Sequence, residues 1–478
     1  MPLTSSEQPA TPSPRKGLAH VWSEVRLAAR GSKHDYTTGS IGRAIFLLAV
    51  PMVLEMLMES VFVVVDIFWV AHLGAEAVAI VGLTESMMVI VYTLAFGLTI
   101  GATATVARRI GEKDPGGAAK AAVQAIALGF IVSGTLAVLG AVFAPQLLSV
   151  MGATPEVLEH GVGFARVMLG GSVTAFMLFV VNSVFRGAGD AAVAMRVLLR
   201  ANLLNLVLGP LLIFGVGPFP TLGVTGAAIA TTIGRGTGVL LALRQLAVGS
   251  GHMAVRREHV RLDPGAMWRL ARMCGSGTFQ ILIGSAAWIG LIRIIASFGS
   301  VAVAGYTIAI RIVVFALLPA FGLSNAAATM VGQSLGAKDP ARAERAVWTA
   351  ARYNLAFLGV LGVLFMAFAP LIIATFTPDP DVRRIAVYGL RVVALGFPMF
   401  AFGMVLTQAF NGAGDTWTPT WINLGIYWVF EIPLAWWLAH HGGFEYRGVF
   451  WSVTLGYSAL AIVSTVLFRR GGWKNRRV

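Results

Sequence analysis

Charged residues are scarce in this 478-residue chain: Asp, Glu, Lys and Arg make up 12% of it and 57% is hydrophobic. Soluble proteins carry about 25% charge, so the shortage excludes an ordinary soluble fold and indicates a polytopic membrane protein. Cysteine is nearly absent. Cys274, standing alone, excludes an intramolecular disulfide and any Cys-rich metal or cluster site. No His-Glu-x-x-His, Gly-x-Ser-x-Gly or Cys-rich pattern supports catalysis inside the membrane: His-Glu-x-x-His is absent, and the one Gly-x-Ser-x-Gly string, Gly332 to Gly336, lies inside the repeated Val331 to Val347 segment. His440 and His441 lack neighbouring ligands, and no resident metal or cofactor is expected. Residues 1–40 lack the apolar core and small-residue cleavage site of a signal peptide; their Pro, Ser, Arg and Lys content predicts a flexible cytoplasmic tail.

Apolar runs are what the chain has in abundance. They predict an all-α protein of twelve membrane helices, near 41–71, 77–107, 118–149, 157–186, 192–215, 223–247, 265–297, 302–334, 342–368, 382–412, 417–440 and 447–469. With the N-terminus inside, the inner segments collect 28 of the 36 Lys and Arg residues, and the outer loops hold only Arg383, Arg384 and Arg447. That asymmetry predicts an inner-membrane protein with both termini cytoplasmic. It also accounts for the net charge of +14 as topology and contact with anionic lipids, not nucleic-acid binding.

The chain repeats itself at an offset of 225. Val106 to Ala122 aligns without a gap on Val331 to Val347 with seven identities in seventeen, both copies containing Gly-x-Lys-Asp-Pro. The same offset carries Phe185-Arg186-Gly187-Ala188-Gly189-Asp190 onto Phe410-Asn411-Gly412-Ala413-Gly414-Asp415, and Pro145 and Pro155 onto Pro370 and Pro380. Six helices per repeat is an even number, so the two bundles enter the membrane in the same direction, related by an axis along its normal. The expected units are lobes 41–247 and 265–470, a cytoplasmic linker 248–264 and a basic tail 471–478. Gly-x-Lys-Asp-Pro is expected to end one helix and start the next. The Gly-Ala-Gly-Asp turns supply positive φ, and their aspartates are expected to cap the following helix.

The first helix carries three carboxylates in an apolar run. At 100° per residue Glu55, Glu59 and Asp66 fall within about 40° of one another, and Phe62 completes the face. A carboxylate at bilayer depth costs at least about 2.5 kcal/mol, so this stripe implies a wet or protein-lined cavity beside it. Glu55 is a candidate to pair with an arginine such as Arg235, and Glu59 and Glu85 to accept hydrogen bonds from Ser and Thr hydroxyls. Glu431, beside Pro433, is the intramembrane acid of the second half, with Arg293 or Arg311 as expected partner or, alternatively, with direct substrate contact. Met52, Met56, Met58, Met87 and Met88 offer a deformable wall for varied ligands, or plain core.

The acidic first helix with Pro51, Asp66, Phe68-Trp69-Val70 and Leu73-Gly74, the paired Gly-Ala-Gly-Asp turns, the Asn205 to Pro210 segment and the Gly226 to Thr231 run together resemble the multidrug and toxic compound extrusion (MATE) family. The resemblance covers nearly everything after residue 40. It implies two six-helix lobes in a V around a central cavity, exporting small organic, often cationic, compounds in exchange for protons or sodium ions, with a single copy sufficient. By the same resemblance Asp66 is the coupling-cation residue, joined by Asn205 and Thr231, with a transported sodium ion the sole metal in view. Relatives often place a second aspartate where this chain has Gly209. That leaves Asp66 as the main negative charge unless Glu55, Glu59 or Glu85 substitutes, and a lone desolvated aspartate suits proton exchange. The seventh helix offers Gln280 and no acid, which is similar to the DinF-like branch with coupling in the first lobe. The substrate-cavity candidates are Glu55, Glu59, Phe62, Glu85, Gln280 and Glu431. The alternative reading is a flippase or exporter of lipid-linked or other amphiphilic intermediates.

Overall fold

The structure, a computed structural model, describes residues 18–31, 34–249 and 251–476. Helix α1 is Leu18–Arg30. The first lobe holds α2 (Ile41–Ala71), α3 (Ala75–Gly111), α4 (Pro115–Val142), the short α5 (Ala144–Val150), α6 (Pro155–Gly170), α7 (Ser172–Ala188), α8 (Ala191–Phe214) and α9 (Gly223–Val248). The second holds α10 (Pro264–Ala296), α11 (Ser300–Gly336), α12 (Pro340–Ala374), α13 (Pro380–Leu395), α14 (Phe397–Gly412), α15 (Trp417–Asn423), a π-helical stretch Leu424–Glu431, α16 (Ile432–His440) and α17 (Tyr446–Arg469). Eleven helical segments, α6 and α7 counted as one, are long and apolar enough to cross a membrane, and the pair α13 and α14, bent by 56°, makes a twelfth. The break between α6 and α7 at Gly171 and the bend at Gly396 are 225 residues apart, so the repeat extends to the kinks.

The repeated motifs build the turns expected of them. In the first copy α3 ends at Gly111, Lys113 turns the chain at φ 59°, and Asp114 accepts a hydrogen bond from the Gly117 N–H at 2.8 Å ahead of Pro115. In the second, α11 ends at Gly336, Lys338 has φ 60°, and Asp339 accepts from the Arg342 N–H at 2.8 Å. A lysine in the left-handed region is uncommon, and here it occurs twice in register. Gly189 and Gly414 supply φ of 88° and 83° in the second motif. Both aspartates of this motif differ from expectation, neither capping the next helix through a backbone N–H: Asp190 takes up the linker through His252, and Asp415 accepts from the Thr418 hydroxyl.

The lobes meet on the pseudo-symmetry axis. Gly111 lies against Gln333, Gly336 against Arg108 and Ala107 against Gly332, each contact mapping onto a partner under the offset. Farther along, a Cβ on Gly97 would stand 2.8 Å from the Cys274 carbonyl oxygen, and one on Gly322 would stand 2.7 Å from that of Met52. These backbone approaches, open only to residues without a side chain, all lie toward the end that carries the basic loops. There the lobes exchange helices. Ile45, Leu48 and Met52 of α2 sit in the core of the second lobe, while Leu270 of α10, the repeat mate of Ile45, sits in that of the first. The lobe boundaries at 41 and 265 therefore divide the sequence, not the packing. Toward the other end α2 exposes Leu57, Val61, Val64 and Phe68, one helical stripe.

Of the segment expected as a flexible tail, residues 18–31 and 34–40 are described, and residues 1–17, 32 and 33 lie outside the described residues. Arg342 of α12 donates to the carbonyls of Tyr36, Thr38 and Gly39 at 2.7–3.1 Å, turning a polar backbone run into a docked strap. Lys113 pairs with Asp35 at 2.6 Å. Burial works to raise the Asp35 carboxyl, but Lys113 and Thr37 outweigh it and hold the group down at about 2. His252 bridges the Asp190 carboxylate, 3.0 Å away, and the His34 carbonyl, 3.1 Å away. The linker is fastened to the first lobe again where Gln124 exchanges hydrogen bonds with Arg261 and Asp263.

Candidate functional site

The carboxylate stripe of α2 faces the interior of the first lobe, and each acid meets a different environment. Glu55, 2% exposed, accepts hydrogen bonds from Arg186 at 2.7 Å and Asn182 at 3.2 Å, leaving its Oε2 without a partner. One turn later Glu59 accepts from Arg235 at 3.2 Å. The Arg235 guanidinium also donates to the Tyr92 hydroxyl at 3.2 Å and stands 5.2 Å from the Phe62 ring centroid. Phe62 thus covers the cation with its π face, as its place on the stripe allows. A narrow cavity between α2, α7, α8 and α9 is lined by Glu55, Met56, Glu59, Phe179, Asn182 and Arg235.

Asp66 stands apart from this pairing. It is half-buried and forms no hydrogen bond or ion pair among the described residues; Glu85 and Arg235 are the charged groups that act on it through space. Asn205 of α8 donates to the Thr231 hydroxyl of α9 at 3.0 Å, both buried, but neither bonds to Asp66. Gly209 lies against Trp69, with room for a Cβ at 3.8 Å from the ring, and the Trp69 indole N–H is buried without a partner. Of the four acids Glu55, Glu59, Asp66 and Glu85, two are paired with guanidiniums, Arg186 and Arg235, and Asp66 and Glu85 form no ion pair among the described residues.

Three sequence expectations are corrected by this geometry. Glu55 pairs with Arg186, not Arg235, because Arg186, in the last turn of α7, reaches α2 at the depth of Glu55. Glu59 is neutralised by Arg235, not by hydroxyls, and Glu85 likewise accepts no hydroxyl hydrogen bond among the described residues. Glu431 pairs with neither Arg293 nor Arg311, both exposed on other faces; it is 4% exposed and its Oε2 is unpartnered. Gln280, half-buried on α10 with an unpartnered Oε1, joins the α2 cluster through no hydrogen bond among the described residues. Of the methionines, Met52, Met87 and Met88 are core, while Met56 reaches the cavity. Among the described residues no group of three His, Cys, Asp or Glu side chains is placed to hold a metal ion.

Arg186, Asn182 and Tyr92 went unread in the sequence. Arg186 was absorbed into the turn motif that it opens. The signal was its repeat mate, the uncharged Asn411: an arginine present in only one copy of a repeated turn serves something other than the turn.

The MatE family profile matches residues 51–211 and 281–437. A probable multidrug resistance protein NorM of Caulobacter vibrioides is 31% identical over 445 residues, spanning 90% of this chain and 92% of its own. A protein of Shewanella oneidensis named FAD transporter is 28% identical over 405 residues, 84% of this chain and 89% of that one. A crystal structure of MATE in the bent conformation superposes with a TM-score of 0.84 at 26% identity, covering 94% of this chain and 97% of that one.

Proposed function

The chain belongs to the MatE family of multidrug transporters, and from that premise we propose that it exports organic cations in exchange for inward-moving protons, with Asp66 as the coupling group. The observation that carries this reading is the contrast along α2. Glu55 and Glu59 are each tied to an arginine, whereas Asp66 is left with neither a counter-ion nor a hydrogen bond. A carboxylate locked in a dry pair has nothing to exchange; an unpaired one beside Glu85 is free to take up either a proton or a cationic substrate. Asp66 and Glu85, in no ion pair among the described residues, favour cationic cargo, and protonation of Asp66 removes one of their charges. Cargo and proton then compete for the same charge, which is the requirement for antiport.

Pro51 gives α2 a place to move. It removes one backbone hydrogen bond just where the helix passes from the core of the second lobe to the face of the first. Protonation at Asp66 relieves repulsion with Glu85, α2 repacks beyond Pro51, and the first-lobe cavity narrows to release cargo. The basic end is read as cytoplasmic by the positive-inside rule, so the backbone seam there closes the pathway to the cytoplasm. Asn205 and Thr231 support the wall of the same pocket. One copy of the chain suffices for this cycle, since both lobes and the seam lie in a single polypeptide. Export of lipid-linked or other amphiphilic intermediates is the second reading; the Phe62 and Tyr92 rings beside Arg235 support it, because they offer aromatic faces to the apolar part of such a cargo.

Efflux of a fluorescent organic cation from vesicles tests the proposal. Asp66→Asn is expected to abolish gradient-driven transport while the protein still folds, and wild-type efflux from that variant would remove Asp66 from the mechanism. A proton gradient alone should drive the wild type and a sodium gradient alone should not; the reverse would make sodium the coupling ion.

A further inference from the structure

The π-helical stretch Leu424–Glu431 ends on the buried acid of the second lobe, and the α2 mechanism does not use it. π-Helical turns are rare and concentrate at functional positions. The Glu431 carboxyl lies on the bare backbone of α17: a Cβ on Gly456 would stand 2.7 Å from its Oε2. That oxygen has no hydrogen-bond partner, and neither does the hydroxyl of Tyr306 on α11 or of Tyr457 on α17, residues 1% and 3% exposed. Glu431, Tyr306 and Tyr457 are close enough to act on one another electrostatically, and Tyr427 belongs to the same group.

Among the described residues no basic group faces this cluster: on α13, Arg383 donates to the Thr377 carbonyl, Arg384 pairs with Asp381 and Arg391 donates to the Met366 carbonyl. Arg293 of α10 and Arg311 of α11 are exposed, His440 is exposed at the end of α16, Arg447 and Arg469 sit at the two ends of α17, and α15 carries no titratable side chain. An ionised carboxylate cannot be left here without a cation or a donor, so the acid carries a proton in this conformation. Three unpartnered buried oxygens are nonetheless an unstable way to fill a core, and native interiors rarely keep them without a use. The two phenols are donors that bind most strongly once Glu431 loses its proton, because an ionised carboxylate is a far stronger acceptor than a neutral carboxyl.

We propose that Glu431, with the hydroxyls of Tyr306 and Tyr457, forms a proton-binding site inside the second lobe, separate from the α2 acids. The carboxyl holds a proton while the basic end is sealed. It releases that proton to water when the second lobe repacks, and the two phenolic O–H groups then turn to the carboxylate.

The test is infrared difference spectroscopy of the protein in lipid nanodiscs, followed by proton counting during transport in proteoliposomes. At neutral pH a protonated-carboxyl band is expected that disappears in Glu431→Gln and persists in Asp66→Asn. Failure of the Asp66 reading therefore leaves this result untouched. Gln is isosteric with the protonated acid and should not disturb folding; if it does, Tyr306→Phe keeps the site testable and should make the band persist to higher pH than in the wild type. Protons moved per substrate should fall about twofold in Glu431→Gln. A band unchanged in that variant would overturn the proposal. So would a lost band with an unchanged proton count, which would make Glu431 a permanently neutral packing group. A band that vanishes on adding sodium at fixed pH would assign the site to sodium and overturn the proton assignment.

Discussion

Replacing Arg186 with Met tests the central electrostatic arrangement of the first lobe. The Arg186 and Glu55 side chains are 7% and 3% exposed and meet at 2.7 Å. At an effective dielectric near 20 their attraction over that distance is roughly 6 kcal/mol, most of it offset by the desolvation of two ions. Removing the guanidinium does not return that desolvation. Glu55 is left with Asn182 alone and an oxygen that was already unpartnered, so the single substitution should cost about 3–5 kcal/mol. Arg186→Met with Glu55→Gln removes both charges and should recover most of the loss, because no buried ion remains. The Thr329 hydroxyl that joins the lobes here donates to the backbone carbonyl of Arg186, so every variant retains that contact. Reversible unfolding in mixed micelles, arranged as a double-mutant cycle, reads the coupling directly. Arg186→Met as stable as the wild type would refute the reasoning, since Glu55 would then not depend on that partner.

Other expectations follow from the seam and the strap. Cys274 is a native reporter for the seam. Gly97→Val pushes a side chain into Thr278 and the Cys274 carbonyl, so maleimide should label Cys274 faster from the basic side in that variant, and equal rates would mean that the seam does not shield it. The hydrogen bond to Asp190, aided by its charge, holds the His252 imidazole above its ordinary value of 6.5 despite burial. The stabilisation is thus fully present below about 6.5 and is lost as pH rises through the higher folded-state value. Hydrogen-exchange protection at residues 251–256, corrected for the intrinsic base-catalysed rate, should fall on going from acid to alkaline pH, and His252→Ala should flatten that profile; a flat corrected profile in the wild type would exclude the switch. Asp66→Asn should abolish proton-driven efflux, as loss of the fluorescent cation from preloaded vesicles measures.

Much of this molecule was legible before any coordinate. Apolar run lengths set the helices, and an offset of 225 set the repeat; the left-handed φ shared by Lys113 and Lys338 came from the structure. The 3.6-residue period placed Glu55, Glu59, Phe62 and Asp66 on one face, because the period of a helix is a local property that neighbours do not alter. Partner choice was beyond reach of the same logic. Which arginine meets which acid depends on how deep α7 and α9 stand beside α2, and a sequence carries no record of relative depth. Strap docking also had to come from the tertiary structure, since the segment's polar composition gives no hint that Arg342, some three hundred residues away, satisfies its carbonyls. Sequence by itself determined the class, the order of the helices and the stripe of acids, all fixed by local periodicity and by the cost of charge in lipid. Only the assembled lobes decided which acids are neutralised, that Asp66 is not, and that Glu431 stands without a counter-ion, because pairing is settled by distances between helices that the chain brings together from far apart.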